Sequence, residues 1–296
     1  MDSNYEQGLA GDPSRKKSLL RRSQSQAATK KSTGDDIPEF EFLGVRVHAM
    51  MPGDHNRIVR RAIEEKRREI IGNHNLHSIC LFRRDTRFQQ FFTLADWVFI
   101  DGMPIIWLGR CYGLPLRRAN RMTSIDWLPS LLAEAADREW RVFALGSTPE
   151  VGRRAIEVFK QRFPKLQMRT HHGFFDTTQG SQESNAVLDA IRAFQPHILL
   201  VCMGMPRQEY WIHDNWDRLH ANAVLPMGAA LDYWAGAIPI PPRWMGRVGL
   251  EWLYRLLSEP KRLWRRYLVE PWALLTPLAA ELLRISRRSP SSKRPG

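Results

Sequence analysis

The chain has 296 residues, 43% of them hydrophobic, and a formal net charge of +13 at pH 7. This length and apolar content suit a protein with a sizeable folded core and exclude disorder throughout the chain. The three cysteines stand far apart and form no CxxC pair. They give no support for a disulfide framework or a cysteine zinc site, and they favour a reducing cytoplasm.

The positive charge is concentrated at the C-terminal end. Residues 243–296 hold twelve Lys/Arg and four Asp/Glu, a net of +8, whereas residues 1–37 and 38–242 have nets of +2 and +3. We therefore expect the C-terminal end to lie near a polyanion, either nucleic acid, anionic lipid or a diphosphate.

The sequence predicts no segment that crosses a membrane. The N-terminus lacks an apolar signal core, and the best candidate span, residues 267–285, contains two glutamates and two prolines. A soluble or peripheral protein is the expectation.

The elements follow one another in a regular order. Residues 1–37 are rich in Ser, Gln, Lys and Arg and predict a disordered basic arm. The alternating run F-E-F-L-G-V-R-V predicts one or two short strands. Further strands are predicted at 69–73, 97–100, 141–146, 167–171, 197–204 and 223–226, and helices at 56–68, 87–94, 126–138, 149–162, 182–194 and 206–219.

This alternation of apolar strands and helices predicts an α/β fold. It is typical of a Rossmann-like, mostly parallel sheet with helices on both faces, here over residues 38–242. Beyond Pro242 the sequence becomes basic, aromatic and helix-forming. We expect a basic helical C-terminal appendage over residues 243–285 and a disordered tail over residues 286–296.

Candidate site residues follow the predicted strands, because ligands of open parallel sheets bind at the carboxyl ends of the strands. Asp101 comes directly after the strand W-V-F-I, where it could serve as a general base, bind a sugar hydroxyl or cap the following helix. Asp232 follows a glycine-rich bend and precedes aromatic residues, which predicts either a sugar or nucleotide contact or a helix cap.

Two further loops have polar or glycine-rich starts. Gly146 begins G-S-T-P-E, in which Ser147 or Thr148 can cap a helix whose free amides suit a phosphate. The loop lacks the G-x-G-x-x-G fingerprint, which argues against a nicotinamide enzyme. In G-M-P-R-Q-E-Y-W, Gln208 and Glu209 place hydrogen-bonding groups beside the most hydrophobic strand, which favours a ligand role.

Neither a metal nor a cofactor is predicted. The histidine pairs His74/His77 and His171/His172 lack the spacing of a metal motif, so structural or substrate-contact roles are favoured. In the C-terminal segment, arginines interleave with leucines and with four of the eleven tryptophans. This pattern suits an anionic membrane surface, and it also suits a helical hairpin packed on the body.

Several segments together resemble the WecG/TagA/CpsF glycosyltransferases, glycosyltransferase family twenty-six. They are A-D-W-V-F-I-D-G-M-P, N-R-M-T-S-I-D, G-M-P-R-Q-E-Y-W, G-A-A-L-D-Y-W-A-G and G-L-E-W-L-Y-R-L-L-S-E-P-K-R-L-W-R-R-Y, in that order over about residues 40–270. The resemblance implies an inverting, metal-independent transferase that moves a sugar from a UDP-sugar to a saccharide on a polyprenyl diphosphate. It also implies work at the inner face of the bacterial cytoplasmic membrane, in the synthesis of exopolysaccharide or cell-surface polysaccharide.

The resemblance assigns roles to residues of this chain. Asp101 matches the proposed base. Substrate-binding roles fall on Asn73, Asn75, Arg121, Asp126, Gly146, Gln208, Glu209, Asp232, Arg255, Arg262 and Arg265. Many relatives carry T-x-N where this chain has Asn73-His74-Asn75, so the hydroxyl is lost and the amide of Asn75 is kept. Similarity to the GumM-like branch would imply UDP-glucose as donor, while other relatives use N-acetylmannosamine or its uronic acid.

Two other classes fit less well. A nucleic-acid-binding protein would match the sequence pI of about 10.1, but no nucleic-acid motif appears and the charge lies on a Trp/Leu-rich end. A nicotinamide-dependent oxidoreductase lacks its glycine fingerprint. The expected partners are the donor, the lipid-linked acceptor and an anionic inner-membrane surface, without nucleic acid. The sequence leaves the oligomeric state open, a homo-oligomer included.

Overall fold

The computed structural model describes residues 37–270 and Trp272. The predicted arm at residues 1–37, except its last residue, lies outside the described residues, as do the predicted tail at 286–296 and the part of the appendage from residue 273 to residue 285.

A β-hairpin opens the described chain. Strands β1 (Glu39–Phe42) and β2 (Val45–His48) pair antiparallel, with Phe42 opposite Val45. The two turn residues, Leu43 and Gly44, have φ angles of 54° and 76°. Positive φ at both positions matches the right-handed twist of a tight hairpin, so the turn keeps the two strands paired.

The central element is a parallel sheet of six strands. They are β3 (Glu69–His74), β4 (Trp97–Ile100), β5 (Arg141–Gly146), β6 (Gln167–His171), β7 (Ile198–Cys202) and β8 (Ala223–Pro226). Their order in the sheet is β4-β3-β8-β7-β5-β6. The α/β, Rossmann-like fold predicted from the alternating pattern is therefore confirmed.

Helices connect the strands, and one more short helix directly follows β8. They are α1 (Asp54–Glu64), α2 (Leu76–Arg84), α3 (Thr86–Leu94), α4 (Met103–Cys111), α5 (Ser124–Asp137), α6 (Pro149–Arg162), α7 (Gln182–Phe194), α8 (Arg207–Asn215) and α9 (Ala230–Trp234). After the last strand come α10 (Arg243–Val248), α11 (Glu251–Ser258), α12 (Pro260–Trp264) and a π-helical turn, Arg265–Val269.

Helices cover both faces of the sheet. On one face, Phe88 of α3, Val187 of α7 and Trp211 of α8 pack in one apolar cluster with the β7 residues Leu199 and Val201. On the other face, the His55 ring of α1 stacks on Trp127 of α5 with centroids 4.1 Å apart, and it meets Phe99 of β4 edge-on. Covering both faces explains why these strands are continuous apolar runs rather than alternating ones.

Most predicted elements are found, and the misses have local causes. Helix α1 ends at Glu64 instead of residue 68, because Lys66 adopts φ 53° and leaves the helical region. Helix α2 was not predicted, since its start N-H-N-L-H is polar; Asn75 and Ser78 form a capping box there. Helix α4 was also missed, although Pro104 at its first turn is a typical start signal.

The chain beyond Pro242 is helical as far as it is described. Leu263 is 1% exposed and anchors α12, whereas Leu257 is 73% exposed. Other large apolar side chains are also exposed in this segment: Trp244, Trp264, Leu268, Val269 and Trp272. Within the described residues, no helix combines the length and the hydropathy needed to cross a bilayer.

Candidate active site

A pocket of about 700 Å³ lies at the carboxyl edge of the sheet, a size typical of a small-molecule site. The loops that follow β3 to β8 all contribute to its wall, as the parallel topology dictates. The C-terminal helices line it too. Among the predicted site residues, those that line it are Asn73, Asn75, Asp101, Gln208, Asp232, Arg255 and Arg262.

Asp101 lies at the junction of β4 and α4. Its backbone N–H donates to the His74 carbonyl at 2.8 Å, which fixes the loop beside β3. Gly102 occupies the N-cap position of α4, and no side chain caps that helix. The helix-cap alternative for Asp101 is therefore wrong, and its carboxylate is left for the pocket.

The surroundings of Asp101 are dry and positive. Burial raises the pKa of this carboxyl, while the charges of Arg255, Arg121 and Arg266 and the Asn75 side chain oppose the rise. The net result is a pKa above the ordinary value, which makes the ionised carboxylate a better proton acceptor than a surface aspartate.

The two asparagines after β3 have structural partners. The Asn73 amide is 7% exposed and donates from Nδ2 to the Pro226 carbonyl at 3.1 Å, which ties β3 to β8. Asn75 is the N-cap of α2, and its Oδ1 accepts from the Ser78 N–H at 3.0 Å. Both therefore hold the pocket wall in shape and face the same pocket as Asp101.

Gln208 joins two loops of the pocket. Its Oε1 accepts hydrogen bonds from the N–H groups of Gly204 at 3.1 Å and of Gly228 at 3.0 Å. Its Nε2 donates to Glu209 Oε1 at 2.8 Å. Burial raises the pKa of Glu209 to about 7. The polar start of α8 thus clamps the β7 and β8 loops, with Gln208 on the wall and Glu209 behind it.

The β5 loop and Asp232 meet at the pocket as well. Gly146 has φ 152°, and a Cβ built on it would lie 2.1 Å from the Cys202 carbonyl oxygen, so the strand end requires glycine. Ser147 Oγ donates to Asp232 Oδ1 at 2.7 Å. Asp232 lies inside α9, whose N-cap is Ala229, so the helix-cap alternative for Asp232 is wrong as well.

Arg121 and Asp126 lie beside the pocket instead of lining it. Arg121 pairs through Nη1 with Glu251 at 2.6 Å and through Nη2 with Asp126 at 3.3 Å. Since Glu251 belongs to α11 and lines the pocket, Arg121 connects the body to the C-terminal helices.

The C-terminal arginines differ in their surroundings. Arg262 lines the pocket, but its guanidinium bonds twice to Glu259, at 2.6 and 2.7 Å. Arg265, predicted from the sequence, is exposed and stacks over Trp264, whereas the neighbouring Arg266 lines the pocket. Neither Arg255 nor Arg266 forms an ion pair with a carboxylate in the part of the chain that the structure describes.

Sequence comparison identifies the kind of protein that carries this pocket. A profile of the "Glycosyl transferase WecG/TagA/CpsF family" matches residues 40–288. The chain belongs to this family. The match covers the sheet and the C-terminal helices alike, and the WecG/TagA/CpsF resemblance of the five motifs is confirmed.

Individual relatives are similar over a smaller part of the chain. One is the "N-acetylglucosaminyldiphosphoundecaprenol N-acetyl-beta-D-mannosaminyltransferase" of Staphylococcus aureus (strain MRSA252), 31% identical over 58% of this chain. The match spans 65% of that relative's length. The protein with the same name from Bacillus spizizenii is 32% identical over 64% of this chain and 70% of its own length.

Membership in the WecG/TagA/CpsF family favours the transferase interpretation over the nucleic-acid-binding and nicotinamide alternatives. The histidines agree with structural roles: His74 is buried, stacks on Phe92, and has its pKa lowered to about 3 by burial. Among the described residues, no group of three or more His, Cys, Asp or Glu side chains could hold a metal ion.

Several pocket residues of this family member were not predicted as site residues. They are Trp107, Phe174, Tyr233, Arg266 and Tyr267. Phe174 is 67% exposed, which is unusual for an aromatic ring and is explained by its position at the rim. Its place in H-H-G-F-F, directly after the predicted strand at 167–171, is a signal that attention to polar residues alone does not detect.

Proposed function

We propose that this chain is an inverting glycosyltransferase. It moves a sugar from a UDP-sugar donor to a saccharide linked through a diphosphate to a polyprenyl lipid, in bacterial exopolysaccharide or cell-surface polysaccharide synthesis. The names of the two relatives support this class of acceptor, since both act on N-acetylglucosaminyldiphosphoundecaprenol. The match covers about two thirds of the length of those proteins. The proposed activity therefore rests on the residues of the pocket as well as on the names of the relatives.

One observation carries the proposal: Arg255 and Arg266 share a pocket with Asp101 and form no ion pair with any described carboxylate. Burial lowers the pKa of Arg266, which indicates a cation short of compensating negative charge. A diphosphate would supply that charge through charge-assisted hydrogen bonds. The exposed Phe174 ring suits stacking on the base of the nucleoside, and the helix start at Pro149, capped by Thr148, offers backbone N–H groups to a phosphate.

The chemistry follows as a single displacement. The acceptor hydroxyl oxygen attacks the anomeric carbon from the face opposite UDP, the bond from that carbon to the β-phosphate oxygen breaks, and Asp101 accepts the hydroxyl proton. UDP leaves with the bonding electrons, and Arg255 and Arg266 stabilise its growing charge without a metal ion. The raised pKa of Asp101 brings its basicity closer to the requirement of this step.

The C-terminal segment supplies the proposed membrane contact. Trp264 and Leu268 are exposed beside Lys261 and Arg265, a combination that suits the interface of an anionic bilayer. A peripheral position at the inner face of the cytoplasmic membrane would bring the pocket to a lipid-linked acceptor.

The experiment is binding and transfer with a panel of donors. Calorimetry should show binding of UDP, and transfer from UDP-glucose, UDP-N-acetylmannosamine and its uronic acid to a short-chain polyprenyl-diphosphate saccharide should select the donor. Replacing Arg255 or Arg266 with Ala should weaken UDP binding about tenfold or more, since each removes a charge-assisted contact.

A matched control is Arg138→Ala, which removes an exposed arginine paired with Glu64 on the body. It should bind UDP like the unaltered protein. Equal UDP affinity in all three variants, or binding of NAD(H) in place of UDP, would contradict the proposed function.

A further inference from the structure

Glu270 ties the C-terminal segment to the body. Its carboxylate pairs with His77 Nδ1 and, at 3.3 Å, with Arg84 Nη2. Its backbone oxygen accepts from the Cys80 thiol at 3.5 Å. Positions 77, 80 and 84 lie on one side of helix α2, so a single face of this helix makes all three contacts with Glu270.

Glu270 lies about one helical turn from Arg266, an arginine of the pocket wall. Glu270 ends the π-helical turn Arg265–Val269, and its N–H donates to the Arg265 carbonyl. Arg266 therefore lies within the same turn and lines the pocket, as does His77. Fixing Glu270 on α2 limits the movement of that turn and of the arginine it carries.

We propose that His77 and Arg84 are positioning residues that act through Glu270 to hold the Arg266 guanidinium in the donor pocket. The consequence for catalysis rests on the proposed function. Preorganised charge accelerates a reaction because it needs no rearrangement when the leaving group ionises, and a displacement of about 1 Å can cost about 100-fold. An arginine in a segment that is not fixed to the body would have to be ordered during the reaction and would lack the advantage of preorganisation.

The first test is a double-mutant cycle between Glu270→Gln and Arg266→Ala, with kcat/KM measured under single-turnover conditions. Glu270→Gln should lower kcat/KM about tenfold in the unaltered protein and less than about twofold when Arg266 is already Ala. His77→Gln should reproduce the effect of Glu270→Gln, and the two together should be no worse than either alone. Equal fold losses in both backgrounds would overturn the proposal.

The second test reads the contact itself, without substrate. Cys80 is 6% exposed under Glu270, whereas Cys111 is exposed and Cys202 is buried. In a Cys111→Ser background, Glu270→Gln should speed maleimide labelling of Cys80 by about fivefold or more, located by peptide mass spectrometry, because the segment covering the thiol is released.

The matched control is Glu64→Gln, which removes a carboxylate from an exposed ion pair on the body. Cys80 should then label at the rate of the parent protein. If Glu270→Gln also labels at that rate, the contact does not hold the segment and the proposal fails. A chain that labels as expected but transfers no sugar would instead contradict the proposed function, so the two failures are distinguishable.

Discussion

At the scale of single residues, two carboxyl groups at or behind the pocket wall lie in surroundings that oppose their ionisation. Asp101 faces the pocket, and Glu209 lies buried behind Gln208. Burial raises the pKa of both groups, so both reduce the free energy of unfolding at neutral pH. Asp101 is the proposed proton acceptor, while Glu209 accepts a hydrogen bond from Gln208, which joins the β7 and β8 loops.

The first prediction separates function from stability at Asp101. Asp101→Asn should lower turnover by at least about 100-fold, because the proton acceptor is lost, while UDP still binds. The melting temperature at pH 7 should rise, because a carboxylate whose folded pKa is raised opposes folding once ionised. Turnover and differential scanning calorimetry measure the two effects. Unchanged turnover would remove Asp101 from the role of base.

The acid limb of the pH–rate profile should also reflect Asp101. Since its pKa is raised, transfer should begin to fall at a pH above the ordinary range of an aspartate, as protonation removes the base. The profile of kcat/KM measures this limb. A limb at or below the ordinary aspartate value would contradict the assignment.

The second prediction concerns Glu209. Its stabilising contribution is fully present below the ordinary glutamate pKa of 4.5 and is lost as pH rises through its folded value of about 7. Glu209→Gln should therefore raise the free energy of unfolding at pH 8 by on the order of 3 kcal/mol and change it little at pH 4.5. Urea unfolding at the two pH values measures this, and an equal change at both would contradict it.

At the scale of elements, the pocket depends on close contacts between strand ends. The approach of Gly146 to the Cys202 carbonyl and the double acceptor role of Gln208 set the spacing of the β5, β7 and β8 loops. Any side chain at position 146 must push these strand ends apart.

The third prediction follows from that contact. Gly146→Ala should lower the free energy of unfolding by about 2 kcal/mol or more and weaken UDP binding, because both strand ends must shift. Gly180→Ala is the control for backbone strain, since Gly180 also has a positive φ, but a Cβ added there would have no other atom within 4 Å. Equal effects of the two substitutions on UDP affinity would contradict the argument.

The sequence predicted several residues of the pocket lining because strand ends are recognisable. Asp101, Gln208 and Asp232 each follow an apolar run, and parallel topology brings such ends to one edge. Arg266 was missed for a geometric reason. Helix α11 ends at Glu259, where φ is −136°, and the π-helical turn that follows has more residues per turn than an α-helix. Counting in α-helical steps from Arg255 therefore does not show which arginine faces the pocket.

At the scale of the whole molecule, most of the excess positive charge lies in the C-terminal segment, residues 243–296. The exposed apolar residues Leu257, Trp264 and Leu268 accompany the basic residues of the C-terminal helices, while the body is nearly balanced in charge. Sequence alone could not separate the interfacial alternative from a helical hairpin packed on the body. The structure contains elements of both, since Leu263 is buried and these three residues are exposed.

The fourth prediction tests the membrane contact. Replacing Leu257 and Leu268 with Asn should reduce flotation with phosphatidylglycerol-containing liposomes, because each change removes about 2 kcal/mol of apolar burial at the interface. UDP affinity should be unchanged. Met51→Asn, at another exposed apolar residue, should float normally. Normal flotation of the double variant would contradict the membrane contact.

The strand order has a consequence for how the chain acquires its structure. Strands β3 and β4 form one part of the sheet, β5, β6 and β7 form another, and β8 is the strand that pairs with both. During synthesis the two parts therefore stay unjoined in the sheet until residues 223–226 leave the ribosome. The edges of β3 and β7 are unpaired until then, which makes this interval the one in which chaperones would matter most. A strand of four residues thus decides when the six-stranded sheet can first be complete.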